Sequence, residues 1–140
     1  MIKKKTNILV TLLVVTILAW LIRDVITQKT TTDLEGGFTE MASYRNENNT
    51  GPIQRIYSVT VSDIARADLE AYGNLMPHSK YGNTKVYFFK KGTAAPTKLF
   101  PGEINFDSTY AKNCFAVYEK SAMGNFSIVF NPFKQKQKTQ

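Results

Sequence analysis

The sequence predicts an α+β protein: an N-terminal transmembrane helix followed by a small domain with a four-stranded, mostly antiparallel sheet and one main helix. Three observations carry that expectation. They are an uncharged apolar run near the N-terminus, one stretch with apolar residues at helical spacing, and four β-rich segments with period-two alternation. Across 140 residues, 43% hydrophobic and 12% aromatic content suits a folded chain with one modest core and argues against disorder.

The apolar run is Ile8 to Ile22, ILVTLLVVTILAWLI, in which two threonines are the only polar members. On its own it would span about 22 Å, short of the roughly 30 Å of a hydrocarbon core. Val25 and Ile26 extend the apolar face, Arg23 can reach the headgroups over its aliphatic stem, and Trp20 sits where an interfacial aromatic belongs. Residues 8–26 are therefore expected to be a signal anchor in contact with the lipid bilayer. Lys3, Lys4 and Lys5 precede the run, which leaves residues 1–7 in the cytoplasm and carries the rest of this single-pass chain across, into the periplasm if the source is bacterial. A cleaved signal is the rival reading. Cleavage would fall after Ala19 and would put Ile17 at a position that wants a small side chain.

A net charge of +7 first suggests a polyanionic partner. Its distribution removes that reading, because between residues 33 and 133 ten basic side chains meet ten acidic ones. The excess lies in the N-terminal segment and in the tail, so the folded part has no net field to steer a nucleic acid.

The remaining elements follow in order. Residues 27–52, rich in Thr, Gly, Asn and Glu, read as a flexible stalk. The soluble α+β domain is expected over 53–133. It opens on a strand in which Tyr57, Val59 and Val61 alternate onto one face. Ser62 and Asp63 then suit the start of a helix carrying Ala65, Leu69, Tyr72 and Met76, stopped by Gly73-Asn74 and Pro77. The next strand, Thr84 to Lys90, is apolar on both sides, as expected in the middle of a sheet or under a covering segment. A Gly- and Pro-bearing loop follows, with Asp107 placed to cap a short turn. Cys114 to Lys120 and Phe126 to Phe130 read as a terminal hairpin, and residues 134–140 as a basic, disordered tail.

Few residues here carry chemistry. Cys114 is the only cysteine and His78 the only histidine, so a thiol with a histidine base is the one enzymatic pair on offer. The layout of anchor, stalk and Cys-His domain resembles the membrane-anchored cysteine transpeptidases such as sortases. The segment Tyr110-Ala111-Lys112-Asn113-Cys114-Phe115, however, lacks their Thr-Leu-x-Thr-Cys pattern. One His and one Cys do not make a zinc site, and there is no phosphate-binding glycine motif, so no metal or cofactor is expected. Most aromatic residues, Phe126 and Phe130 among them, are expected in the core. Tyr87 and Phe89 would form an apolar binding patch if the second face of a one-helix sheet stays bare. The expected function is non-enzymatic binding of a ligand or an envelope protein partner. The alternatives are a small membrane-surface enzyme using Cys114 and His78, or a secreted binding domain after signal cleavage.

Overall fold

The structure, a computed structural model, describes residues 2–134, so the expected basic tail lies outside the described residues except for Lys134. The chain divides into two compact units between Thr30 and Thr31.

The first unit is helix α1, Ile2–Thr27. Its 26 residues reach about 39 Å at 1.5 Å per residue, so the shortfall of the fifteen-residue apolar run disappears once the flanking turns are helical. None of its residues is buried, and by length and composition it is apolar enough to cross a membrane. Its threonines suit an apolar medium. The hydroxyls of Thr6, Thr11, Thr16 and Thr27 donate to carbonyls four residues back, at 3.0, 2.8, 2.8 and 2.6 Å.

The second unit is an α+β domain on a mixed five-stranded sheet. The strands are β1 (Phe38–Arg45), β2 (Ile53–Val61), β3 (Gly82–Lys90), β4 (Cys114–Lys120) and β5 (Phe126–Phe130), in that spatial order. Four strands were expected, and the fifth is β1, inside the segment read as stalk. The reason it escapes a period-two reading is a β-bulge between Glu40 and Ala42. Phe38 and Tyr44 are six residues apart and should share a face, yet Phe38 joins the cluster under the helix and Tyr44 the cluster opposite. The turn formers after it make the β1–β2 connection, where Asn46 donates to Pro52 O at 2.9 Å and accepts from Gln54 N at 2.8 Å.

The sheet is mixed because β2 and β3 are parallel, while the other three pairs are antiparallel. Parallel neighbours need a crossover, and residues 62–81 supply it with the short helix α2, Leu69–Leu75. The helix begins later than Ser62. Ser62 is held by its N–H on Gly36 O at 2.9 Å and by its hydroxyl on Gly37 O at 3.2 Å, so it ends the strand. The cap is Asp68, whose carboxylate accepts from Ala71 N at 2.9 Å. At Gly73 the helix comes so close to β4 that a β-carbon would stand 2.5 Å from the Tyr118 ring.

Both faces of the central strands are covered. Under α2, Val59, Val61, Leu69, Tyr72, Val86, Phe88 and Tyr118 form one core. On the other side Ile56, Tyr87, Phe89, Phe106 and Cys114 form a second, closed by Leu99 and Tyr110 from the chain between β3 and β4 and by Phe133 after β5. β3 lies in the middle and contributes to both, as its two-sided apolar pattern requires.

Candidate functional site

Cys114 and His78 do not meet. Cys114 opens β4 on the loop-covered face, where the register shift beside Phe88 and Phe89 turns it away from Ala116 and Tyr118. His78 precedes β3, and its Nδ1 lies 3.1 Å from the hydroxyl of Thr84, on the strand side shared with Val86 and Phe88. Thr84 pairs with Lys120 and Phe89 pairs with Cys114, so about 16 Å of strand separates the two ends. Opposite faces and opposite ends exclude proton transfer between them.

Each residue has a local role instead. The Cys114 thiol is 5% exposed and donates to Ala116 O at 3.3 Å. Burial pushes its pKa up to about 12, against the smaller opposing effect of backbone hydrogen bonds, so the nucleophilic thiolate is suppressed at neutral pH. The Thr84 hydroxyl gives its single proton to Pro77 O at 3.1 Å. It must therefore accept from His78 Nδ1–H, while the buried Nε2 has no hydrogen-bond partner. Among the described residues, no group of three or more His, Cys, Asp or Glu side chains is placed to hold a metal.

Tyr87 and Phe89 are 3% and 0% exposed, so the patch that a bare second face would offer does not form. The loop covers them. Phe106 packs edge-on against Tyr87 at 4.8 Å and against Phe89 at 5.6 Å. The Tyr87 hydroxyl donates to Asn105 Oδ1 at 2.8 Å, and Asn105 Nδ2 holds the carbonyls of Phe100 and Gly102 at 3.2 and 3.0 Å. Desolvation raises the Tyr87 phenol well above its usual range, which keeps it a donor.

Exposed apolar surface lies instead on β5. Phe126 and Phe130 are 43% and 62% exposed, contrary to their expected place in the core, and Val129 is exposed beside them. Phe126, Ile128 and Phe130 sit opposite Lys120, Tyr118 and Ala116 and so point to the α2 side. There Ile128 and Phe130 line a groove of about 380 Å³ together with Phe115, Ile64 and Leu69. Arg66, Asp68 and Glu70 line it as well and supply charge.

The backbone of β5 is open on its outer side. Asn131 N donates to Phe115 O, and Asn125 O accepts from Ser121 N, both at 2.8 Å. In an antiparallel strand N–H and C=O of one residue point the same way and alternate along the chain. Phe126, Ile128 and Phe130 therefore direct theirs away from β4, toward a side on which no described strand lies. The sequence signal for this edge is a terminal hairpin strand with no charge in it, FSIVF, whose alternation is also that of a core strand. Set beside known protein families, curated proteins and solved structures, the chain matches none.

Proposed function

We propose that this chain is a single-pass membrane protein whose domain lies outside the cytoplasm and works by binding a partner, without catalysis. The observation that carries the reading is a contrast within the second unit. Both faces of the central strands are closed by their own chain, while the β5 edge combines backbone groups that no described strand pairs with exposed Phe126 and Phe130 and a groove beside them. An uncovered edge with alternate side chains entering a groove suits recognition of an extended segment by strand addition. Helix α1, uncovered along its whole length, supports anchorage, and Lys3 to Lys5 support a cytoplasmic N-terminus.

Cross-linking of the full-length chain in its membrane, followed by detergent extraction and quantification of what is joined to it, a second copy of the chain included, tests the reading. A stoichiometric partner should stay with Cys114→Ser and be lost from Phe130→Asp, whose substituted side chain is exposed and leaves the core intact. A partner indifferent to Phe130→Asp would overturn the assignment to this edge. A biological activity lost in a folded Cys114→Ser chain would favour chemistry.

A further inference from the structure

We infer that the partner at the β5 edge is a second copy of this chain, joined β5 to β5 in antiparallel fashion about a two-fold axis at Ile128. The inference rests on the binding reading above and names its occupant.

Self-pairing follows from the hydrogen-bond directions. Phe126, Ile128 and Phe130 each offer one N–H and one C=O outward. A two-fold axis at Ile128 sets Ile128 against its own copy and Phe126 against Phe130 of the second copy, so all three donors and all three acceptors of each strand are used. Moving the axis to Ser127 or Val129 leaves one outward residue of each strand without a partner. Charge agrees with this choice. β5 contains no ionisable side chain, so its self-pairing opposes no like charges. The other edge of the sheet is defended by the β1 bulge and by exposed Glu40 and Arg45, the usual means of preventing strand addition. The new register also brings aromatic rings together across the two-fold, where each cross-strand pair gains from contact.

Area sets the strength. The exposed parts of Phe126 and Phe130 amount to roughly 200 Å² per copy, against about 800 Å² per partner in a standard interface. Six backbone hydrogen bonds and a quarter of the usual area suit an association that needs a high local concentration. Two copies anchored in one membrane through α1 have that concentration.

Cysteine cross-linking of the full-length chain in phosphatidylcholine vesicles tests this, with copper phenanthroline as oxidant and Cys114 left in place because it is buried. At the two-fold axis the paired α-carbons lie about 5.5 Å apart, within disulfide reach. Ile128→Cys should shift from monomer to dimer on a non-reducing gel, while Met41→Cys on the β1 edge should stay monomeric. Ser127→Cys mixed with Val129→Cys should link more than either alone, a result that does not depend on replacing the half-buried Ile128. A folded Ile128→Cys chain that stays monomeric together with an unlinked Ser127/Val129 mixture would overturn the inference. So would equal linking through Met41→Cys. Vesicle flotation is read on the same samples, so failure of the anchor appears separately from failure of the edge.

Discussion

On the α2 side of the sheet the core is closed by regular structure, with Leu69, Tyr72 and Met76 meeting Val86, Phe88 and Tyr118. On the opposite side the same strands meet Phe106, Leu99 and Phe133 from chain without repeating structure, held by Asn105. The comparison teaches that burial and regularity are separate properties. Phe88 and Phe89 are equally buried, one under a helix and the other under a loop.

The sharpest way to break this equivalence is truncation on each side. Phe88→Ala and Phe106→Ala should each cost about 3–5 kcal/mol in denaturant unfolding of the full chain, because each removes a ring from a closed core. If Phe106→Ala costs under about 1 kcal/mol, the loop is a loose cover and the two faces are not equivalent.

Alkaline pH probes the loop side next. The Cys114 pKa is raised from 9.0 to about 12, so the folded state holds its proton where the unfolded chain loses it. The contribution is whole below pH 9 and is lost as pH rises from 9 toward 12, with a slope on the order of a kcal/mol per pH unit. Cys114→Ala should flatten that slope, and iodoacetamide should label the native thiol only after unfolding. Rapid labelling of the folded chain at neutral pH would show that the cover opens.

A smaller effect separates the two hydroxyl pins. Tyr87→Phe leaves buried Asn105 Oδ1 without its donor and should cost about 1–3 kcal/mol. Tyr118→Phe removes a bond to Asn74, whose side chain is at the surface, and should cost about 0.5–1.5 kcal/mol. Equal losses would contradict the buried placement of the Asn105 pin. The smallest effect is expected at the helix start, where Asp68→Ala should cost about 1 kcal/mol and Ser62→Ala less.

The same contrast explains what could be read beforehand. Val86, Phe88, Tyr87 and Phe89 advertise a central strand through unbroken alternation, and the Ser121 to Asn125 turn advertises the last hairpin. Strand β1 was hidden because one extra residue near Met41 moves Tyr44 to the other face. The cover of the second face was hidden because Phe106, Leu99 and Phe133 follow no period, so nothing local marks them as core. Phe126 and Phe130 were misplaced for the converse reason: their alternation is that of a buried strand, and only the sheet order shows that nothing described lies beyond them. His78 and Cys114 were plausible as a pair only while their faces were unknown.

A membrane anchor with its domain outside underlies both the edge pairing and the binding role, and protease protection tests it. Intact cells making the full-length chain are treated with trypsin from outside, washed with alkaline carbonate, and the membrane-bound fragment is weighed by mass spectrometry. Retention of an N-terminal fragment ending near Lys29, produced only by external protease, is the predicted result. A chain released by carbonate, a mature mass lacking the residues before Trp20, or a domain shielded from external trypsin in a membrane-bound chain would contradict it.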